Sequence, residues 1–206
     1  MGRAFSPTQV QSIEHSVIPF TGKWERAFGN PESRGTWLVW GNSGNGKSSF
    51  VMQMAKELCK FGKVAYNSLE EGIGLSFKNS LTRHKMEEVN GRFFVLNGET
   101  MEDLSTRLSK RKSPDIVIID SLQYTGMNFK QYQDFTKAHP NKLFIFTCHA
   151  SGDNPEGRVA NKIAFDAGVK ILVKGYRAFC KGRFVPEAGE FFTIWEEGAS
   201  RYWMDK

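Results

Sequence analysis

From Thr36 onward, short apolar runs alternate with longer amphipathic stretches. The runs "TWLVWG" (36–41), "KVAYNSL" (63–69), "RFFVLN" (92–97), "DIVIID" (115–120) and "KLFIFTCH" (142–149) are rich in β-branched and aromatic residues. That pattern predicts strands, and "DIVIID" reads as a central parallel one. Between them, residues 47–61, 72–86, 99–110 and 128–138 predict helices, the first ended near Gly62. Phe129, Tyr132 and Phe135 recur at i, i+3 and i+6, which predicts a helix face packed on the sheet with Phe135 in the core; Phe129 and Tyr132, flanking Lys130, leave a stacking surface as the alternative. After Gly168 the pattern changes. "GVKILVKG", "YRAFCKGRF", "EFFTIWE" and "RYWMD" read as short strands joined by glycine-containing turns. The expected fold is α/β: a mostly parallel central sheet flanked by helices, with a C-terminal antiparallel β-meander. Residues 1–34 are polar and carry Pro7, Pro19 and Pro31; they read as a lead-in with one short helix, "PTQVQSIEHS", and residues 35–206 as the core domain.

Composition narrows this picture only a little. A chain of 206 residues can bury one full core. It holds no run of about 18 apolar residues. "MGRAFSPTQVQSIEHS" has no apolar signal core, so no export signal is expected, and the Met-Gly start matches an acylation pattern only weakly. Cys59, Cys148 and Cys180 stand far apart with no C-x-x-C pair, which predicts reduced thiols used as small apolar fillers. The net charge of +6 favours polyanionic partners without selecting one.

The chemistry is concentrated in "GNSGNGKSS", which places Gly41, Asn42, Ser43, Gly44, Asn45, Gly46, Lys47, Ser48 and Ser49 between a strand and a helix. This matches the phosphate-loop spacing G-x-x-x-x-G-K-[ST]. Glycines let backbone N–H groups turn toward phosphate oxygens, Lys47 supplies a point charge to the β and γ phosphates, and Ser48 offers a hydroxyl to Mg²⁺. The helix that follows aims its positive end at the anion. Asp120 ends "DIVIID" beside the loop and is placed to hold the Mg²⁺ shell. Glu70 and Glu71 end the second strand, where a carboxylate can polarise an attacking water. A GTPase is excluded, because "NKLF" and "NKIA" lack the aspartate of a guanine reader.

In order, "GNSGNGKSS", "YNSLEEG", "VIIDSLQ", "IFTCH" and "KGRF" resemble the RecA-type ATPases, closest to the RadA and DnaB branches. The resemblance spans about residues 36–195. It implies a RecA-like core that hydrolyses ATP with Mg²⁺, with Glu70 as catalytic base and His149 as the γ-phosphate sensor. It also implies that Lys181 and Arg183 reach the neighbouring subunit's γ-phosphate. An extended strand independently puts residues i and i+2 on one side, so both cations can face one anion. The family pattern further implies a homo-oligomer, ring or filament, with active sites between subunits. Residues 124–134 and 150–162 would line its channel, where Lys130, Arg158, Asn161 and Lys162 contact single-stranded DNA. The second segment, rich in Gly, Asn and Asp, is expected to be mobile without a partner. The implied setting is cytoplasmic and phage, mobile-element or bacterial, with partner proteins of recombination or replication and DNA-stimulated hydrolysis. The chain is similar in size to the short RecA-like proteins of strand annealing and recombination. A KaiC-like regulatory ATPase and a helicase-type translocase remain as alternatives.

Overall fold

The five apolar runs form five neighbouring parallel strands: β1 (Gly35–Trp40), β2 (Val64–Ser68), β3 (Phe93–Leu96), β4 (Ile116–Asp120) and β5 (Leu143–Cys148). The computed structural model describes residues 4–185 and 191–204. The Met-Gly start, the first residue of the strand expected at 190–196 and the last of that expected at 201–205 lie outside the described residues. Two further strands in chain order, β6 (Ala150–Ser151) and β7 (Asn154–Pro155), make a small separate ribbon. The sheet is completed by β8 (Val169–Lys174), β9 (Arg177–Gly182) and β10 (Phe191–Thr193), in the order β10-β9-β8-β1-β5-β4-β2-β3. β8 pairs parallel with β1, so it extends the parallel sheet, and the antiparallel part begins at β9.

Burial on both faces explains the apolar runs. Alternate residues of each strand point to opposite sides. Trp37, Val39, Tyr66, Ile118 and Ile145 enter one core; Leu38, Val117, Ile119, Phe144 and Phe146 enter the other. The helices, in chain order, are α1 (Pro7–Gln11), α2 (Gly22–Phe28), α3 (Lys47–Leu58), α4 (Leu75–Arg83), α5 (Met101–Leu108), α6 (Phe129–Ala138), α7 (Arg158–Asp166) and α8 (Glu196–Met204). The first core takes Phe28 of α2, Phe50 of α3 and Phe77 of α4; the second takes Leu104 of α5, Tyr132 of α6 and Ile163 of α7. Tyr132 and Phe135 are buried, and the Tyr132 hydroxyl donates to Asp166 (2.7 Å) and lies 3.0 Å from the Thr36 hydroxyl. Cys59, Cys148 and Cys180 are free, buried thiols; burial pushes Cys59 up to about 11 and Cys148 to about 12, so neither is a nucleophile near pH 7. Among the described residues no helix is long and apolar enough to cross a membrane.

Besides the parallel β8, expected as part of the antiparallel meander, the structure differs from the sequence reading in three places. Residues 18–28 are part of the core: Trp24 of α2 lies 4.1 Å from the Phe192 ring and Phe28 stacks on Phe50 at 6.0 Å. Trp24, Ala27 and Phe28 lie at i, i+3 and i+4, a helical stripe that the surrounding prolines and charges obscure. Residues 196–204 form α8, not a strand, with Glu196 and Glu197 in the first turn and Arg201 in the last, as the helix dipole favours. Residues 150–162, expected as a loop, carry secondary structure. They are the β6–β7 ribbon and the start of α7, held down by the Trp40 indole N–H on the Asp153 carbonyl (2.9 Å) and by a Lys174–Asp153 ion pair (2.7 Å).

Phe28→Ala should therefore destabilise the whole domain by about 3–5 kcal/mol, whereas Val10→Ser on the exposed α1 should stay within about 0.5 kcal/mol. Urea unfolding followed by tryptophan fluorescence measures both. An unchanged midpoint for Phe28→Ala would mean that α2 is not part of the core.

Candidate active site

The phosphate loop leaves β1 at Gly41 and enters α3 at Lys47. Glycine is required at its start because a Cβ at position 41 would stand 2.4 Å from the Val173 carbonyl oxygen of β8. Gly46 holds φ +94, a left-handed conformation that delivers the chain into the helix. Asn45 fixes the loop from the side. Its side-chain oxygen accepts from Gly175 N–H (2.8 Å), its amide donates to the Ser43 carbonyl (3.1 Å), and its own carbonyl accepts from Tyr176 N–H (3.1 Å). The β8–β9 turn thus clamps the loop. Lys47 Nζ donates to the Cys148 carbonyl at the end of β5 (3.2 Å), which aims its charge across the loop mouth.

Asp120 ends β4 and ties β2, β5 and the turn after β2 together beside the loop. Its carboxylate accepts from the Tyr66 hydroxyl on β2 and the Thr147 hydroxyl on β5. Its backbone carbonyl accepts from Leu69 N–H (2.7 Å) and Glu70 N–H (3.1 Å), so the turn carrying Glu70 and Glu71 hangs from the same residue. Ser68 Oγ closes that turn on the Gly72 carbonyl (2.8 Å). Burial, then the adjacent Asp120 carboxylate, raises Tyr66 well above the usual phenol range, so Tyr66 stays a donor. The peptide between Asp120 and Ser121 is cis. Opposite, His149 Nε2 lies 3.8 Å from Glu70 Oε2.

These groups meet in one cleft of about 270 Å³, lined by Asn42 to Gly44, Gly46 to Ser49, Glu70, Glu71, Asp120 and His149. The cleft is polar and solvent-open. Its glycine-formed cradle at a helix N-terminus fits a polyphosphate, and a hydroxyl beside a carboxylate fits Mg²⁺. A larger groove of about 450 Å³ lies elsewhere, at the β3 edge, and is not part of this chemistry. An adjoining apolar pocket of about 390 Å³ is lined by Ser49, Gln53, Arg83, His84, Tyr176 and Trp195. There the Tyr176 and Trp195 rings meet edge to face at 5.0 Å, and Trp195 is 47% exposed. His84 Nε2 is buried without a hydrogen-bond partner among the described residues, and burial followed by Arg83 and Lys56 lowers its pKa, so the ring is neutral near pH 7.

The remaining sequence-predicted residues lie away from the cleft. Lys181 and Arg183 are exposed at the far end of β9. β9 runs away from the phosphate loop, so Lys181, five residues beyond Tyr176, lies about 17 Å along the strand from the clamp. Lys130, Arg158, Asn161 and Lys162 are exposed. Lys162 sits over the Phe129 ring at 5.6 Å, which brings α6 and α7 together, and a cleft of about 280 Å³ separates residues 122–127 from residues 156–160. Asn161 is spent locally: its amide donates to the Pro155 and Gly157 carbonyls, both at 2.9 Å. Sequence reading missed Tyr66, Thr147, Tyr176 and Trp195. Thr147 left a signal, since a polar residue in a wholly buried strand must find a partner.

No family profile matches the chain. It is 30% identical over 86 residues to the DNA repair protein RadA of Streptococcus pyogenes, covering 42% of this chain and 18% of that protein. RadA of Streptococcus pneumoniae is 29% identical over 86 residues, covering 42% and 20%. The chain thus spans about a fifth of the length of these curated relatives. Among solved structures, the flagellar accessory protein FlaH from Methanocaldococcus jannaschii aligns with TM-score 0.60 and 16% identity over 87% of this chain and 92% of that one. A second solved ATPase domain aligns with TM-score 0.58 and 17% identity over 81% of this chain and 84% of that one. With the phosphate loop in its cleft, these likenesses show that the chain has the fold of the RecA-type P-loop ATPase superfamily.

Proposed function

We propose that this chain binds and hydrolyses ATP, assembles side by side with copies of itself, and acts on single-stranded DNA in recombination, annealing, repair or replication. The observation that carries the ATPase reading is the single cleft gathering Lys47, Ser48, Asp120, Glu70 and His149 at the C-terminal ends of the parallel strands. Ser48 and Asp120 would hold Mg²⁺, which when bound neutralises charge across the phosphates. Lys47 exchanges its carbonyl partner for the β and γ oxygens. Glu70 accepts a proton from the attacking water, held in place by its N–H on the Asp120 carbonyl. His149, beside Glu70, reports the γ-phosphate to the ribbon that follows it. The pocket under Tyr176 and Trp195 suits the base: two aromatic rings and the unpartnered His84 nitrogen offer stacking and a hydrogen bond.

The assembly reading is supported by the direction of β9. Lys181 and Arg183 lie too far along the strand to serve their own loop, so they suit a neighbour's site. The DNA reading is supported by the paired segments at α6 and α7 and by the RadA likeness. A second reading, a regulatory ATPase acting through protein contacts, is favoured by the likeness to FlaH over 87% of the chain. Stimulation of hydrolysis by single-stranded DNA separates the two.

Glu70→Gln keeps shape and hydrogen bonding but cannot take a proton. It should bind ATP normally and hydrolyse it at least about a hundredfold more slowly, measured by nucleotide-binding fluorescence and phosphate release. A dead Glu71→Gln beside an active Glu70→Gln would move the base by one residue.

Arg183→Ala should bind ATP yet lose about a thousandfold in turnover, as expected for a missing arginine finger. Mixed with Lys47→Ala, it should regain activity, because some interfaces join an intact loop to an intact finger. Background hydrolysis at every mixing ratio, with mixed assemblies present by native mass spectrometry, would reject the shared site.

A further inference from the structure

The sheet's outer edge carries a second feature that the ATP cleft does not use. Among the described residues β3 pairs in the sheet with β2 alone, so one of its edges is free. Beside it lies the groove of about 450 Å³, lined by Lys63, Phe94, Arg107, Lys110, Arg111 and Lys112 among others. That volume is in the range of a ligand site. Arg107 is neutralised by Glu99, its Nε donating to both carboxylate oxygens at 3.0 and 2.9 Å. The other four cations form no ion pair among the described residues. The Asp115 carboxylate accepts from the Lys63 backbone N–H (3.0 Å), so one acid stands near these four cations, and the groove keeps an excess of positive charge.

The simplest structural account is the C-terminal end of α5, where the helix dipole favours Lys and Arg. It explains Lys110 and Arg111. It does not explain Lys63, which reaches the groove from the approach to β2, nor Phe94, whose ring stays 41% exposed beside the cations. Lys112 turns the chain at φ +65, a left-handed position suited to glycine but occupied by a cation.

We propose that this groove binds a single-stranded nucleic acid, with Lys63, Lys110, Arg111 and Lys112 on successive phosphates and Phe94 stacked on an unpaired base. A repeated anion matches a row of separate cations, and an exposed ring beside them matches the base face that a single strand offers and a duplex hides. A bilayer fits less well, since Phe94 lines a concave groove and does not project from a convex face. β3 is four strands from β1, about 19 Å across the sheet, so this contact is separate from the phosphate loop. It takes only the ligand class from the function proposed above and adds a second contact away from α6 and α7.

Fluorescence anisotropy with labelled oligo(dT) tests this on the full chain across a salt series. Three variants accompany the wild type: Lys110→Ala/Arg111→Ala/Lys112→Ala, Phe94→Ala, and Arg158→Ala/Lys162→Ala at the α7 segment. The triple variant should bind at least about tenfold more weakly, and its slope of log affinity against log salt should be shallower by about 2, near 0.7 per lost phosphate contact. Phe94→Ala should bind about tenfold more weakly with the slope unchanged, and Phe94→Tyr should restore binding. DNA-free ATP hydrolysis should match wild type in all the groove variants, which checks that they fold. Wild-type affinity and slope in the triple variant overturn the inference; if Arg158→Ala/Lys162→Ala alone loses binding, the DNA reading stands without the groove. A wild type that binds no oligonucleotide at any salt overturns both. Binding instead to phosphatidylserine vesicles, lost in the triple variant, would assign the groove to a membrane and also overturn the inference.

Discussion

The arrangement of this site depends on the hydrogen bonds made by Asp120. Hydroxyls from the strands on either side of β4, Tyr66 and Thr147, donate to its carboxylate, and its carbonyl suspends the turn that carries Glu70. A carboxylate held on both oxygens cannot rotate away from the loop, and its charge is offset by donors without being cancelled by a cation. The same contacts join β2, β4 and β5 at their C-terminal ends. Position of the candidate metal ligand, position of the candidate base and closure of the sheet are therefore one geometric constraint. Removing either hydroxyl takes one donor from the part-buried Asp120 carboxylate, a loss on the order of 1 kcal/mol where water from the cleft can replace it.

A second constraint acts on the other side of the loop. Asn45 binds the loop to the β8–β9 turn through its side chain and its backbone, and Trp40 and Lys174 bind the β6–β7 ribbon to the same corner. One end of the β8–β9 hairpin thus touches the phosphate loop, and the other presents Lys181 and Arg183 to solvent. In the proposed assembly, a hairpin with a loop clamp at one end and two cations at the other would link one subunit's loop to its neighbour's site. It gives the proposed assembly a mechanical basis in strands already fixed by the core.

Much of this was legible in the sequence for a physical reason. Strands buried on both faces must be apolar at every position, so "TWLVW", "DIVIID" and "KLFIFTC" stand out without any partner being known. The phosphate loop was legible because its glycines answer to local backbone demands. Elements whose burial is one-sided were not. α2 and α7 keep polar outer faces and were read as lead-in and loop, although Trp24, Ala27 and Phe28, and Ala160 and Ile163, carry the helical spacing. The Tyr66–Asp120–Thr147 tie was invisible because it joins residues 54 and 27 positions apart, and only strand order brings them together. The groove at β3 combines residues from three segments, Lys63, Phe94 and 110–112, none of which is distinctive alone.

Steady-state phosphate release from ATP with Mg²⁺, for the wild type and for Lys47→Ala, tests the central claim most directly. The account predicts measurable turnover in the wild type, lost in Lys47→Ala along with much of the nucleotide affinity, because the β and γ charges lose the ammonium that β5 holds across the loop. Equal turnover in the two proteins would contradict it.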